Sequence, residues 1–370
     1  MRIESNVLDR QFFMYQQEYE RKALDVLRSG WYVLGKEVTA FEQEFADYLG
    51  VKHCVGLASG LDALWISMRL LGIHAGDEVI VQGNAYIACV MGITINGATP
   101  VFVEPDVYNN IDADKIEAKI TKRTKAILVV HLYGQASNMG RIEAIAGRYG
   151  LLVVEDCAQA HGAKFAGHSV GTFGKAGCYS FYPSKNLGAF GDGGALVTND
   201  DALAAAARIF RNYGSEKRYH NRVVGANSRL DELQAGLLRV KLSHLDELIE
   251  ERAAIAAFYL ANIQNPYIEL PRICAGATHV WHLFVIHTKR RAVLIEYLKK
   301  HDISCLVHYP IPPYCSEAYQ YLGIEAGSLP VTDRFAQEVL TLPLYNGMTE
   351  QEMQYVVDAI NGFGGDADEA

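Results

Sequence analysis

The sequence lacks the cysteine pattern that would indicate disulfides or a cysteine-based zinc site. Its seven cysteines are odd in number, and no two of them form a C-x-x-C pair. Both kinds of framework depend on paired, regularly spaced cysteines, so the pattern argues against each of them. We therefore expect no metal site and a reducing, cytoplasmic location.

Long apolar runs and an excess of basic residues are also absent. The most apolar windows, such as 126–130 and 151–154, are far shorter than the ~20 residues of a membrane span. The first residues, 1–6, open no apolar signal region. The chain has 34 Lys and Arg against 43 Asp and Glu, a formal net charge of −9, whereas nucleic-acid binding needs a basic face. We expect neither a membrane nor a nucleic acid as a partner.

What the chain does have is enough apolar surface for more than one hydrophobic core. Half of its 370 residues are hydrophobic, which excludes disorder as the main state. Chains of this length usually form two packed regions. We expect a large domain over 1–245, a small α/β domain over 246–362, and a disordered acidic tail over 363–370.

From about residue 54, short apolar segments alternate with helical patterns. Strands are predicted at 54–57, 78–81, 99–103, 126–130, 151–155, 178–181 and 195–198. Helices are predicted at 12–28, 39–48, 61–71, 86–96, 113–120 and 139–149. Short strands that are apolar throughout and alternate with helices indicate a mostly parallel sheet in an α/β fold.

The last third of the chain reads as a smaller α/β unit. A long helical pattern over 230–259 is predicted to connect it to the first unit. Strand, helix and strand are then predicted at 282–287, 292–301 and 303–307, and a final helix at 350–361.

Chemically useful residues follow three of the predicted strands. Ser59 and Gly60 begin a helix whose free N–H groups suit a phosphate, although the same turn also fits a plain helix cap. Asp156 follows a buried strand, where a carboxylate needs a partner. Lys185 follows another strand; a desolvated lysine there would suit imine chemistry, and a solvated loop lysine is the alternative.

Together these three features match the needs of one cofactor. Pyridoxal 5′-phosphate (PLP) requires an anion cradle, a carboxylate that keeps the pyridine nitrogen protonated, and an amine that forms an imine. Ligands of open α/β sheets bind at the carboxyl ends of the strands, where all three features are expected. The sequence therefore predicts a PLP site.

Two long segments carry a resemblance to a known family. Residues 155–162 (EDCAQAHG) and 180–188 (SFYPSKNLG) resemble signatures of the DegT/DnrJ/EryC1/StrS family of PLP-dependent nucleotide-sugar aminotransferases. Further matches lie at 59–64, 212–214 and 227–235, and the resemblance runs from about residue 6 to residue 360. It implies the fold type I of PLP-dependent aminotransferases, with a mostly parallel central sheet.

The resemblance implies a role for each residue around the cofactor ring. Lys185 would form the covalent link, and Asp156 would pair with the pyridine nitrogen. Gln159 would bond the ring hydroxyl, and Tyr86 would stack on the ring. The sequence departs from its relatives at 82–85, where they usually carry Pro and then Thr before the aromatic residue. Lysine rather than histidine at 185 indicates an aminotransferase rather than one of the family's dehydratases.

The cofactor phosphate would be held from two chains. The resemblance implies contacts from the backbone amides of Gly60 and Leu61 and from the Ser180 hydroxyl. Asn227 would reach the phosphate of the neighbouring subunit's cofactor. The implied assembly is a homodimer with shared active sites.

Two further segments speak to the substrate. Residues 214–220 and 306–312 resemble those of family members that act on dTDP-linked 3-keto-6-deoxyhexoses. The implied substrate contacts are Tyr182, Lys217, Arg218, His308 and Tyr309. Lys217 and Arg218 would contact a diphosphate, or they are simply a solvated basic pair. His308 and Tyr309 would contact the sugar hydroxyls, or Tyr309 and Pro310 simply form a turn.

The leading functional hypothesis is amination of the C3 ketone of a dTDP-linked 3-keto-6-deoxyhexose for deoxyaminosugar synthesis, with glutamate as the implied donor. PLP would alternate with its amine form, PMP. One alternative keeps the cofactor and changes the substrate to a UDP-linked 4-keto sugar, an aminocyclitol ketone or an aminohydroxybenzoate precursor. Another is a non-catalytic regulatory protein on the same scaffold, against which the set of Asp156, Gln159, Ser180 and Lys185 argues.

Overall fold

The computed structural model describes residues 1–364. The α-helices of this part are α1 (Leu8–Met14), α2 (Gln16–Ser29), α3 (Lys36–Leu49), α4 (Gly60–Leu70), α5 (Ile87–Thr94), α6 (Met139–Tyr149), α7 (Asp201–Phe210), α8 (Glu232–Ser243), α9 (Leu245–Asn262), α10 (Arg291–Lys300), α11 (Pro330–Glu338) and α12 (Glu350–Asn361). The strands are β1 (His53–Leu57), β2 (Glu78–Gln82), β3 (Thr99–Val103), β4 (Thr124–Val130), β5 (Leu152–Asp156), β6 (Lys164–Phe165), β7 (His168–Ser169), β8 (Ala176–Ser180), β9 (Gly194–Thr198), β10 (Ser215–Lys217), β11 (His220–Asn221), β12 (Phe284–His287) and β13 (Val339–Leu342).

Seven strands form one sheet in the order β1-β9-β8-β5-β4-β2-β3. From β8 to β3 all neighbours are parallel. Strand β9 runs antiparallel to both β1 and β8 and is the one reversed strand of this sheet. The mostly parallel α/β sheet predicted from the sequence is confirmed.

The sheet is buried on both faces because its strands carry apolar side chains at successive positions. In β4, Ala126, Leu128 and Val130 belong to the cluster that packs against α4 and α5. Ile127 and Val129 belong to the opposite cluster, which includes α6. Side chains of a strand alternate between its faces, so a continuous apolar run fills both layers.

The last part of the chain has its own apolar cluster around the antiparallel pair β12–β13. The strand predicted at 303–307 is wrong, because this segment makes only isolated bridges, Ile303 to Ile3 and Leu306 to Thr341. Strand β13, which the sequence analysis missed, is the partner of β12 instead. The proposed division of the chain at 245/246 stays a prediction.

Three predicted helices are interrupted. The pattern over 12–28 breaks at Tyr15, where φ is −127°, so α1 and α2 are separate. The pattern over 230–259 breaks at His244, where φ is −111° and ψ is 6°. The segment 113–120 forms two short 3₁₀ turns rather than an α-helix, and the first is capped by the Asp112 side chain.

The first ten residues are attached to the last third of the chain. The Ile3 N–H donates to the Asp302 carbonyl at 2.8 Å, and Ile3 is fully buried. Arg10 forms two hydrogen bonds of 2.6 and 2.7 Å with the Glu352 carboxylate. The segment between these two attachments is therefore held across the surface rather than free.

The end of the described chain is packed against the protein at Phe363. Phe363 is 3% exposed, and its carbonyl accepts a hydrogen bond from Asn265 Nδ2 at 2.8 Å. The disordered tail was predicted to begin at Phe363, but this residue is ordered and buried. The remaining tail residues 365–370 lie outside the described residues. Within residues 1–364, no helix has the length and apolarity needed to cross a membrane.

Candidate active site

A cavity of about 490 Å³ lies at the carboxyl ends of the parallel strands, between the large sheet and the last third of the chain. It is lined by nearly all of the residues proposed for the cofactor: Gly60, Leu61, Tyr86, Asp156, Gln159, Ser180 and Lys185. Three of the predicted substrate residues, Tyr182, His308 and Tyr309, line it as well. Segments that are far apart in the sequence thus meet at one edge of the sheet, as expected for an open α/β fold.

Lys185 reaches this cavity from a turn that directly follows β8. Its backbone N–H donates to the Tyr182 carbonyl at 2.9 Å, which closes the turn. Burial lowers the pKa of the Lys185 amine to about 8, and the negative charge of the nearby Asp156 opposes this shift. A lysine of this kind supplies a neutral, nucleophilic amine near neutral pH.

Asp156 is the last residue of β5 and is 5% exposed. Its position is fixed by the sheet, because it pairs with Val130 of β4 and Cys178 of β8. Its Oδ1 accepts the Ala158 N–H at 3.0 Å, and its Oδ2 accepts the Cys89 thiol at 2.9 Å. The carboxylate is thus presented to the cavity in a defined orientation.

Gln159 connects two aromatic residues of the cavity wall. Its Oε1 accepts the Tyr133 N–H at 2.6 Å, and its Nε2 donates to the Tyr309 hydroxyl at 3.0 Å. The Tyr309 ring lies beside the Tyr86 ring, with 4.9 Å between ring centroids. Because both amide atoms are engaged, the side chain of Gln159 has one well-defined orientation.

The predicted phosphate cradle is formed where α4 begins beside the end of β8. Ser59 caps α4, its hydroxyl accepting the Asp62 N–H at 3.1 Å. A Cβ atom on Gly60 would lie only 2.6 Å from Ser180 Cβ, so a larger residue would push the two segments apart. Glycine thus lets the Ser180 hydroxyl approach the first turn of α4, whose N–H groups and dipole favour an anion.

His308 and His282 supply uncharged imidazoles to the cavity wall. His308 Nδ1 lies 2.7 Å from the Thr341 hydroxyl, and burial lowers its pKa to about 4. Burial lowers the pKa of His282 well below 6.5, and its Nδ1 has no hydrogen-bond partner in the described part of the chain. Arg252 also lines the cavity and donates to the carbonyls of Trp281 and His282, both at 2.8 Å.

Among the lining residues that sequence reasoning missed are Cys89, Arg252 and His282. Cys89 lies in an apolar helical segment, Arg252 in the helical pattern predicted to connect the two units, and His282 at the start of a predicted strand. No local spacing pattern connects any of them to Asp156 or Lys185. Only the three-dimensional arrangement identifies them.

Three predicted contact residues do not line the cavity of their own chain. Asn227 is exposed, and its Nδ2 donates to the Tyr213 hydroxyl at 2.9 Å. Lys217 and Arg218 lie in the exposed β10–β11 hairpin, where Arg218 stacks over the Tyr219 ring at 5.1 Å. The role of Asn227 concerns a second subunit, and the roles of all three residues stay predictions.

One buried cluster combines metal-ligand types, namely His131, Glu155 and Cys157. His131 Nε2 bonds the Glu155 carboxylate at 3.0 Å, and its Nδ1 accepts the Ser137 N–H at 3.0 Å. Glu155 also accepts the N–H groups of a neighbouring loop, residues 171–174. Hydrogen bonds within the protein therefore account for the histidine and the carboxylate of this cluster.

The cavity residues fit a phosphorylated pyridine aldehyde. The cradle between Gly60 and Ser180 suits a phosphate, the buried Asp156 suits a protonated ring nitrogen, and Lys185 suits an aldehyde. The three groups line one cavity. The arrangement therefore matches the cofactor that the sequence resemblance implies.

Comparisons with known proteins agree with this geometry. The model of the DegT/DnrJ/EryC1/StrS aminotransferase family matches residues 14–361. A dTDP-3-amino-3,6-dideoxy-alpha-D-galactopyranose transaminase of Aneurinibacillus thermoaerophilus is 52% identical over 95% of this chain and 96% of the relative. A dTDP-3-amino-3,4,6-trideoxy-alpha-D-glucose transaminase of Streptomyces venezuelae is 45% identical over 93% of this chain and 92% of the relative. The crystal structure of S. venezuelae DesV with a ketimine intermediate superposes with a TM-score of 0.95 at 44% identity, covering 97% of this chain and 98% of that one.

Proposed function

This chain belongs to the DegT/DnrJ/EryC1/StrS aminotransferase family, and from that premise we propose that it aminates the C3 ketone of a dTDP-linked 3-keto-6-deoxyhexose. PLP is the proposed cofactor and glutamate the proposed donor. The main support for this proposal is that Lys185, Asp156 and the Gly60–Ser180 cradle line the same cavity. The enzyme class, a sugar aminotransferase, follows from the family and its relatives.

The chain's own residues divide the work around the cofactor. PLP, when bound, supplies an electron-accepting ring that eases removal of a proton next to the transferred nitrogen. Asp156 would hold the proton on the pyridine nitrogen, and the amides of Gly60 and Leu61 with the Ser180 hydroxyl would hold the phosphate. Lys185 Nζ would take the proton from the donor's Cα, because its pKa of about 8 leaves a neutral amine available near neutral pH.

The sugar is proposed to occupy the cavity on the side of His308 and Tyr309. The Tyr309 hydroxyl already accepts from Gln159, and His308 Nδ1 is engaged with Thr341, which leaves His308 Nε2 to contact a sugar hydroxyl. Tyr182 is exposed at the rim and suits contact with the same ligand. A bound nucleotide remote from the ketone would help to orient it.

The relatives support the choice of a C3 ketone. Both transaminases named above form 3-amino sugars linked to dTDP, according to their names. At 52% and 45% identity over nearly the whole chain, they are the basis for assigning the same class of substrate here. The donor is proposed to be glutamate, as the family resemblance implies.

A homodimer with shared sites is also proposed. Asn227 and the β10–β11 hairpin are exposed on the surface and do not line the cavity of their own chain. Large apolar side chains are exposed nearby, among them Val224 at 94% and Tyr213 at 52%. A second chain over this surface would bury them and bring Asn227 toward the partner's cavity.

Two half-reactions test the proposed function. The PLP form is mixed with glutamate alone, and the PMP form with dTDP- or UDP-linked 3-keto and 4-keto sugars, while the visible absorbance is followed. We expect conversion by glutamate and by a dTDP-linked 3-keto sugar, and loss of both in Lys185→Ala. Turnover of a UDP-linked 4-keto sugar with none of any 3-keto sugar would contradict the proposed substrate.

Complementation tests the shared site. Lys185→Ala and Asn227→Ala chains are each expected to be inactive or weak alone, whereas mixed dimers contain one site with both residues intact. Activity should appear on mixing after subunit exchange. Active monomers in sedimentation would contradict the dimer.

A further inference from the structure

The Cys89 thiol lies against the carboxylate that is proposed to face the cofactor ring. Cys89 Sγ is 2.9 Å from Asp156 Oδ2, and the two residues are 1% and 5% exposed. They are 67 positions apart in the sequence. Both line the cavity that contains Lys185, so the contact belongs to the candidate active site rather than to a remote core.

The first turn of α5 places this thiol. Tyr86 is the N-cap of the helix, and the Cys89 N–H donates to the Tyr86 carbonyl at 3.0 Å. Residues three positions apart lie on one face of a helix, so Tyr86 and Cys89 are both presented to the cavity. The helix therefore supplies one side chain for the ring face and one for the carboxylate.

Asp156 keeps room for a further donor despite this contact. A carboxylate offers about four acceptor positions. One, on Oδ1, is taken by the Ala158 N–H at 3.0 Å, and one, on Oδ2, by the Cys89 thiol. A ring N–H can still be accepted, while the carboxylate is held at both oxygens.

The thiol is a permanent but weak donor. Burial raises the pKa of Cys89 well above 9, and the neighbouring Asp156 charge raises it further, so the thiol keeps its proton at any working pH. A thiol withdraws less charge from a carboxylate than a hydroxyl does, because S–H is the weaker donor. Asp156 is thus oriented by a donor that draws little charge from its carboxylate.

We propose that Cys89 is a positioning residue that orients the Asp156 carboxylate toward the pyridine nitrogen of the cofactor while drawing little charge from it. The inference rests on the proposed function, since it assigns Asp156 to that nitrogen. Alanine at 89 would free Oδ2 to turn, whereas serine would hold it but draw more charge from it. The two substitutions therefore separate the orientation of the carboxylate from the charge that its donor withdraws.

The first experiment needs no cofactor. The S–H stretching band of Cys89 in the apoenzyme is identified by its loss in Cys89→Ala and is then measured in Asp156→Asn. We expect a shift to higher frequency, because an amide oxygen is a weaker acceptor than a carboxylate. The band of Cys178, whose thiol contacts the Ala63 carbonyl at 3.3 Å, should stay in place. An unmoved Cys89 band would overturn the contact, and this outcome is independent of the proposed function.

The second experiment measures the holoenzyme. Cys89→Ala should weaken PLP binding by about three- to tenfold, the effect of losing one hydrogen bond of ordinary net strength, because S–H is a weak donor. Cys89→Ser should restore the affinity but move the pH midpoint of the visible absorbance band, as a merely structural role would not. Cys178→Ala serves as the matched buried-cysteine control.

Two outcomes overturn the proposal. One is Cys89→Ala with PLP affinity within twofold of wild type and an unchanged pH midpoint, in a protein with a normal unfolding transition. The other outcome is used if the alanine variant does not fold. In that case, a Cys89→Ser protein whose visible absorbance band has the wild-type pH midpoint contradicts the assigned role. If no variant, nor the wild type, binds PLP while the S–H shift is present, the proposed cofactor is wrong and the contact stands.

Discussion

The protonation of Lys185 is open to a direct test, with Asp156→Asn as the perturbation. Burial lowers the pKa of Lys185 to about 8, and Asp156 is the largest influence that raises it. At pH 7 an amine of pKa 8 is about one-tenth neutral, whereas an ordinary lysine is neutral in about 3 molecules in 10,000. Lys185 should therefore react with an aldehyde roughly 300-fold faster at pH 7 than an exposed lysine of equal intrinsic reactivity.

The assay follows the apoenzyme across pH 6 to 11. Pyridoxal, which lacks the phosphate, is added for short times and trapped with borohydride, and the peptide that contains Lys185 is quantified by mass spectrometry. The wild-type midpoint should lie near 8. In Asp156→Asn the midpoint should move lower, because the carboxylate that favours the protonated amine is gone.

A matched control separates this effect from general changes in the cavity. Asp192 lines the same cavity but is not among the groups that shift Lys185, so Asp192→Asn should leave the midpoint unchanged. A wild-type midpoint near that of free lysine would refute the reasoning about burial. A midpoint that rises in Asp156→Asn would refute the assigned electrostatic role of the carboxylate.

Two further predictions concern the phosphate cradle and the N-terminal segment. Gly60→Ala places a Cβ 2.6 Å from Ser180 Cβ, so we expect PLP affinity, measured by equilibrium dialysis, to fall at least about tenfold. As a control, Gly140→Ala should leave PLP affinity unchanged, because its new Cβ would lie 3.6 Å from the nearest atom. Arg10→Ala should lower the free energy of unfolding at pH 7 by about 1 kcal/mol, since the pair with Glu352 is partly screened by solvent. The Arg10 hydrogen bond lowers the pKa of Glu352 to about 2, below its ordinary 4.5. The difference in free energy of unfolding between wild type and Arg10→Ala should therefore narrow as pH falls from 5 toward 2. A difference that stays constant over this pH range in denaturant titrations would contradict the prediction.

The residues that the sequence predicted well are those whose neighbours in the chain determine their position. Asp156 ends strand β5, Lys185 lies in the turn that follows β8, and the strand pairing carries both to the cavity edge. One detail differs, because β5 extends to include Asp156 itself. Local apolar patterns and strand ends were sufficient for this much of the site.

Contacts between distant segments account for what was missed. The Cys89–Asp156 contact joins two segments 67 residues apart, and α5 around Cys89 carries no polar pattern that would signal it. Strand β13 was missed because its partner β12 is remote in sequence. The apolar run at 303–307 has strand-like composition, yet Ile303 bridges to Ile3, a partner that no local pattern reveals.

The attachment of the first ten residues to the last third of the chain has a consequence for biosynthesis. Ser5 and Asn6, between Ile3 and Arg10, line the cavity. At ribosomal rates of about 5–20 residues per second, Glu352 emerges tens of seconds after Arg10. The cavity wall that contains Ser5 and Asn6 therefore cannot form until the last third of the chain is made, whereas the large sheet can fold earlier. PLP that binds during synthesis would enter an open cavity. Deletion of residues 1–10, or of helix α12 with Glu352, is expected to damage this same wall.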